Sequence, residues 1–523
     1  MLTKIKVKNY KGFKEAEIPI KPITVLLGAN SSGKSSMLQL LLLLQQTAEE
    51  ASDSYKSALK IFGNRISVGK PENLFYCLNR KKPIYIQIDF NNESVKNTLE
   101  RALSDYIMES SMFYFGPDFR EKAYSQDKDD VKEAFKLGMS HLNQRGYWEG
   151  GFSSYISDYD LNAKDYQSLV RNYDFLAELR NKIKNASFSF SYSISYYRKD
   201  LVISAFSFHH GSASILSYKE DEGFSSEIID LSENDIATLN AAFIKNSTIF
   251  NLFGRRRNYS NYKVNNGVET SLAITMANLV KEVLMELKKE FQEPFINHVG
   301  PLRAHPQRYY LLDKANVTYS LDTYDANAIA EVIKDKKTLK DRVNRWFKQF
   351  GLEVTVDEFK EAVHKLTVCQ SNLPLDIPDV GFGVSQVLPV VMQGFLSPNK
   401  SITIVEQPEV HLHPKMQASL ADLFIDITNE SKYTKHIVVE THSEYLLKRL
   451  RRRMAEGQVI TPDKVSINLF HTRTEEQPAI IENLSIEDRG YFEWPEEYYD
   501  GELSDDTNVF LKLQANGYIH SNN

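Results

Sequence analysis

The feature that most constrains this chain is the apolar segment 23–27 running into Gly28-Ala29-Asn30-Ser31-Ser32-Gly33-Lys34-Ser35. A continuous apolar run reads as a strand buried on both faces, which calls for a parallel sheet covered by helices. The next eight residues match G-x-x-x-x-G-K-[ST] in full, and the Leu-rich stretch 35–47 predicts a helix directly after them. Strand, glycine loop and helix in that order make a phosphate cradle. Gly28 and Gly33 permit a tight loop whose N–H groups, those of Asn30, Ser31 and Ser36 included, turn toward an anion. The helix N-terminus adds its positive dipole end. Lys34 can then reach the terminal phosphates of a nucleotide and Ser35 can ligate Mg²⁺. The competing reading is a Gly/Ser turn without a ligand, but chance matches seldom fall between a buried strand and a helix.

A second apolar strand, Ile402-Thr403-Ile404-Val405, ends in the carboxylate of Glu406. In phosphate-loop proteins such a strand lies near the loop strand, and its terminal acid holds the Mg²⁺ shell. The chain continues Gln407-Pro408-Glu409-Val410-His411-Leu412-His413-Pro414. This run resembles the second nucleotide motif of ABC-type ATPase heads, the class of RecF, SMC and OLD-like ATPases. The resemblance implies an ATP- and Mg²⁺-dependent ATPase with Ser35 and Glu406 at the metal. Two positions depart from the family pattern. Glu406 replaces the usual Asp, and Gln407 replaces the usual catalytic Glu. A Gln orients water but takes no proton, so three outcomes stay open: slow hydrolysis, a contribution from another acid such as Glu409, or function in the ATP-bound state.

Four further segments resemble the same class. Val439-Glu440-Thr441-His442-Ser443 is similar to the switch-histidine segment, which would put His442 at the γ-phosphate. Gly381-Phe382-Gly383-Val384-Ser385-Gln386 precedes an apolar helix in the place of the ABC signature loop. Gly383, Ser385 and Gln386 would there meet ATP held by a second subunit; the plain alternative is an ordinary helix N-cap. The opening residues resemble the RecF/SMC start, in which Asn9 and Lys11 approach the nucleotide. Gly300-Pro301-Leu302-Arg303 also resembles OLD-like ATPases, with Arg303 at the nucleotide, at an interface or in a surface ion pair.

Lys34 and Glu406 stand 372 positions apart, far more than such a core needs between the two strands. The expected fold class is therefore α/β, an ABC-type P-loop ATPase head with a large mixed α+β insertion and no long coiled coil. The expected organisation is 1–95 as the N-terminal part of the head, 96–350 as an inserted lobe, 351–470 as the C-terminal part and 471–523 as an acidic segment. Within the insertion, Phe188, Phe190, Tyr192 and Ile194 alternate with serines, the pattern of an antiparallel meander. That stretch takes up many of the 28 Tyr and 29 Phe.

Composition narrows the partners. The chain has 523 residues and a net charge of -6, which argues against coating nucleic acid over the whole surface. The segment 482–506 carries ten acidic residues and one basic residue, so it accounts for 1 − 10 = −9 of that charge. The remainder is +3 and leaves room for a basic groove. Arg255, Arg256 and Arg257, followed by Tyr259 and Tyr262, could grip nucleic acid or form a solvated loop. The cations between 448 and 453 have the same two readings. Two cysteines form no disulfide framework or Cys-based zinc site, and no apolar run nears the ~20 residues of a membrane span. The expectation is a soluble cytoplasmic protein without membrane contact.

The resemblance implies a homodimer or higher oligomer joined head to head through ATP. It also implies control of a separate effector, a nuclease in anti-phage systems similar to Septu or the retron-associated PtuA. The alternatives are a RecF-like ATPase of DNA repair or DNA ends and a non-hydrolysing ATP-dependent scaffold.

Overall fold

The computed structural model describes residues 1–50, 55–110, 121–125, 127–143, 163–254, 271–303, 305–311, 321, 326–360, 363–371, 373–430, 435–474 and 477–493. The chain forms two compact units, Met1–Lys11 with Leu41–Gln292 and Gly12–Leu40 with Glu293–Asn523.

In the first unit the strands run, in spatial order, Leu2–Tyr10, Ile84–Asn91, Ser187–Tyr197, Asp200–His210, Ala213–Lys219 and Gly223–Ser225, all antiparallel. The meander read from the Phe/Ser alternation is present, and it continues the sheet begun by the first strand of the chain. Phe188, Phe190, Tyr192 and Ile194 are all buried, and Phe190 stacks on Phe208 with ring centroids 4.5 Å apart. These aromatics are core. The helix Leu272–Phe291 buries Leu272, Met276, Leu279, Val283, Leu284 and Leu287, an apolar stripe at helical spacing.

The second unit is built on a sheet of six described strands in the order Ile480–Asn483, Val465–His471, Ile23–Gly28, His436–Glu440, Ile402–Glu406 and Ile296–Val299. The pairs from Val465–His471 to Ile296–Val299 are parallel, and Ile480–Asn483 is antiparallel. Ile23–Gly28 is buried throughout, as the apolar run requires. Helices Pro414–Asn429 and Glu444–Glu456 follow the strands Ile402–Glu406 and His436–Glu440. A smaller antiparallel sheet holds Tyr310–Leu311, Val363–Gln370, Leu352–Lys360 and Leu373–Asp376. Parallel strands of an open sheet leave their carboxyl ends at one edge, where ligand sites form. Gly28, Glu406 and Glu440 all stand at that edge.

The fold is α/β, as expected, with no long coiled coil among the described helices. The segment 96–350 divides between the units: residues to Gln292 lie in the first and those from Glu293 in the second. Ile296–Val299 is an edge strand of the head sheet. Val465–His471 escapes sequence reading because Ser466 and Asn468 break its apolar run. Both are buried, and Asn468 Nδ2 donates to the carbonyl of Val25 at 3.2 Å, so the polar side chain has a partner inside the sheet.

Candidate functional site

The glycine loop closes with backbone that only glycine adopts easily. Gly28 has φ +139° and Gly33 has φ +103°. A Cβ on Gly28 would strike the carbonyl oxygen of Phe470, and one on Gly33 would lie 2.6 Å from Cζ of Phe13. The helix starts at Lys34 and runs to Ala48, so its free N–H groups face the loop. Asn30, Ser31 and Ser35 are exposed at the loop surface, and Ser36 donates its N–H to the carbonyl of Gly33 at 2.9 Å. The Oγ of Ser32 is buried without a hydrogen-bond partner. Lys34 is 3% exposed and donates from Nζ to the carbonyls of Gly28 at 2.9 Å and Ala29 at 2.8 Å.

Three carboxylates stand beside this loop. Glu406 and Glu440 are register partners at the ends of neighbouring parallel strands, so their side chains leave the same face. Nζ of Lys34 lies 3.9 Å from Glu440, and Oγ of Ser35 donates to Glu440 at 3.3 Å. Burial pushes the Glu440 carboxyl up, Lys34 pulls it down, and Glu406 pushes it up again. Burial also lowers Lys34, against the pull of Glu440 and Glu409. Glu406 is held from the far side by Nε2 of His298 at 2.6 Å. His298 faces Ile404 in register, two residues before Glu406 and hence on the same face.

The turn after Glu406 is fixed at several points. Gln407 adopts φ 44° and donates its N–H to the carbonyl of Glu440 at 2.8 Å. Nη2 of Arg303, a residue 5% exposed, donates to the carbonyls of Glu406 at 2.7 Å and Gln407 at 3.4 Å. Glu409 turns inward: Oε1 accepts the N–H of His442 at 2.6 Å and Oε2 accepts the hydroxyl of Thr441 at 2.8 Å. Burial raises the Glu409 carboxyl, and the bonds from His442 and Thr441 oppose that shift. Glu409 therefore ties the turn after Glu406 to the switch segment. His442 is pushed down first by burial and then by Lys34, both of which favour the neutral imidazole, and its Nε2 is buried without a partner.

The remaining sequence candidates fall in different places. The signature-like segment was expected to precede its helix, but the helix begins at Phe382 with Gly381 as its cap at φ 96°. Gly383, Ser385 and Gln386 thus lie in its opening turns. Ser385 and Gln386 are 6% and 7% exposed, and a Cβ on Gly383 would lie 2.8 Å from the carbonyl of His411. His413 caps the helix Pro414–Asn429 through Nδ1, which accepts the N–H of Lys415 at 3.3 Å. Asn9 and Lys11 belong to the first unit: Nδ2 of Asn9 donates to the carbonyl of Lys82 at 2.7 Å, and the N–H of Lys11 to that of Leu74 at 2.8 Å. Of the cations at 448–453, Lys448 pairs with Glu444, Arg449 with Asp422, Arg452 with Glu456, and Arg453 with Asp422 and Glu456. Arg255, Arg256 and Arg257 lie outside the described residues.

Sequence reasoning passed over Glu440 and His298. The signal for Glu440 was available, since it ends an apolar strand just as Glu406 does. His298 carried no local signal.

The donor set fits a nucleotide with Mg²⁺. The loop offers N–H groups, an ammonium and a buried hydroxyl without a partner, and the strand ends offer hard oxygen ligands. No group of three His, Cys, Asp or Glu side chains forms a metal cluster among the described residues. The metal would be shared by the hydroxyl of Ser35, carboxylate and phosphate. No described helix is long and apolar enough to cross a membrane.

A search of curated proteins returns no match. Among solved structures the chain is similar to the SMC head domain from Thermotoga maritima, at 9% identity and a TM-score of 0.34, covering 93% of this chain and 99% of that one. It is also similar to the Smc head domain with an extended coiled coil, bound to the C-terminal domain of ScpA, derived from Pyrococcus furiosus, at 12% identity and a TM-score of 0.34, covering 98% and 99%. The profile of the AAA ATPase domain family matches residues 1–447. With most of its length matched and a glycine loop, strand-end acids and parallel sheet in place, the chain belongs to the AAA ATPase domain family.

Proposed function

We propose that this protein hydrolyses ATP slowly and associates head to head through bound ATP, so that its nucleotide state controls a separate effector. One observation carries the nucleotide reading: Lys34 is buried at the glycine loop, 3.9 Å from Glu440 and beside a hydroxyl, that of Ser35, suited to Mg²⁺. Lys34 and the loop N–H groups bind the phosphates, and Ser35 holds the metal with the strand-end acids, Glu406 among them, supplying its carboxylate surroundings. Mg²⁺, when bound, neutralises the charge of the transferring phosphate.

Gln407 makes turnover slow. Its side-chain amide orients a water molecule but takes no proton from it. Glu409 has both oxygens committed to Thr441 and His442, which supports a positioning role in place of proton transfer. His442, neutral and unpartnered at Nε2, donates or accepts one hydrogen bond at the terminal phosphate. Contact with a second copy runs through the exposed start of the signature-like helix. Gly381 is exposed there, while Ser385 is buried.

The effector is a separately encoded nuclease in an anti-phage system, by the resemblance to Septu and retron-associated ATPases. Nucleic-acid contact through Arg255, Arg256 and Arg257 rests on sequence alone. A scaffold that binds ATP without hydrolysis is the second reading, favoured by the same Gln407, and phosphate release measured over hours separates the two.

The test is Lys34→Ala, titrated with a fluorescent ATP analogue. Loss of binding together with loss of effector control is expected. Affinity equal to the wild type would overturn the nucleotide reading.

A further inference from the structure

Glu440 has no task of its own in the reading above, yet it is the acid that touches the glycine-loop helix. We propose that Glu440, together with Ser35, is a direct ligand of the Mg²⁺ that accompanies the nucleotide, and that Glu406 acts from the layer behind. This rests on the nucleotide reading.

The argument is geometric. Mg²⁺ demands a near-octahedral shell at 2.0–2.1 Å, so two adjacent ligand oxygens sit about 3.0 Å apart. Oγ of Ser35 lies 3.3 Å from Oε2 and 3.5 Å from Oε1 of Glu440. A shift of a few tenths of an ångström turns that hydrogen bond into two neighbouring corners of a metal shell. The described hydrogen bonds of the Ser35 hydroxyl go to Glu440 and none to Glu406. Glu406 instead gives Oε1 to His298 at 2.6 Å, the kind of bond that fixes a carboxylate next to a metal.

Charge leads to the same place. The side chain of Glu440 is 6% exposed, and its nearest cation is Lys34 at 3.9 Å. Glu406 and Glu409 act on it as further negative charges. Three clustered carboxylates, one of them buried, need more positive charge than one ammonium supplies, and a divalent cation provides it. Lys34 cannot serve both Glu440 and phosphate at full strength, since it already donates to two loop carbonyls.

The experiment uses full-length protein, a non-hydrolysable ATP analogue and Mn²⁺ as a paramagnetic stand-in for Mg²⁺. Free Mn²⁺ is followed by electron paramagnetic resonance. In the analogue complex, Glu440→Gln should weaken Mn²⁺ binding about 10–100-fold, and Glu406→Gln should weaken it less. Affinity for the analogue in EDTA should be no weaker than the wild type in either variant, since each removes a negative charge near the phosphates, and this also reports an intact loop. Glu440→Asp keeps the charge on a shorter arm and should fall between Gln and wild type. Mn²⁺ affinity of Glu440→Gln within about twofold of the wild type, or a larger loss in Glu406→Gln, overturns the assignment. If wild-type protein bound no analogue at any metal concentration, the nucleotide reading itself would have failed, a different result from an unchanged Glu440→Gln.

Discussion

Glu409→Gln separates a clamp from a base. Gln matches Glu in shape, so no cavity forms, but it presents one oxygen where the carboxylate presents two. The N–H of His442 approaches Oε1 at 2.6 Å and the hydroxyl of Thr441 approaches Oε2 at 2.8 Å. With Gln, the oxygen can keep His442, and the amide NH₂ must then donate to the Thr441 oxygen, which already accepts the N–H of Ser443 at 3.0 Å. The Thr441 proton loses its acceptor in a residue that is 0% exposed. Losing charge assistance costs about 1 kcal/mol and orphaning a buried hydroxyl about 1–3 kcal/mol, while removing a buried charge returns part of that. The expected net loss is about 1–3 kcal/mol in equilibrium urea unfolding. Faster hydrogen exchange at the backbone amides of 441–446 should accompany it. Thr441→Val, which removes the donor on the other side, should give a similar loss. Unchanged stability and exchange with abolished hydrolysis would refute the clamp and make Glu409 the proton acceptor.

Other perturbations test neighbouring parts of the argument. Gln407→Glu restores a proton acceptor and should raise the rate of phosphate release at saturating ATP by about 100-fold, the lower end for a positioned general base; an unchanged rate would show that this position does not limit hydrolysis. Gly33→Ala forces a Cβ to 2.6 Å from the ring of Phe13 at φ +103°. It should cost about 1–3 kcal/mol of stability and weaken binding of an ATP analogue, checked by urea unfolding and titration. His436, buried in the central strand, has its imidazole pushed down by burial to about 4. The unfolded chain binds this proton near pH 6.5 and the folded chain does not, so the stability contribution is full above 6.5 and lost as pH falls toward 4. The loss is about 3 kcal/mol over that window. His436→Leu should flatten the fall in urea midpoint between pH 7.5 and 4.5, and equal slopes in the two proteins would contradict the assignment.

Some of the site was legible in the residues themselves. The loop strand, the two glycines and the helix starting at Lys34 follow from local causes: an apolar run buried on two faces, φ values open to glycine, and a Leu-rich helix. Glu406 at a strand end is also a local reading, while His442 comes from the resemblance; both stand at the carboxyl ends of neighbouring parallel strands. The signature-like segment, expected ahead of its helix, is itself helical from Phe382, because Gly381 caps the helix. The cations at 448–453 gave an ambiguous signal, since only the packing of Glu444–Glu456 on Pro414–Asn429 places Asp422 beside Arg449 and Arg453.

The sequence by itself determined that this chain builds a phosphate cradle followed by a helix, because those requirements are satisfied within about 15 residues. Tertiary structure decided which acids meet it. Ser35 meets Glu440 across 405 positions, and His298 meets Glu406 across 108. Parallel strands have no tight turn to fix their order or register; both are set by how helices and strands share one core. For that reason the carboxylate touching the loop helix proved to be Glu440, on the strand inserted between the loop strand and Ile402–Glu406.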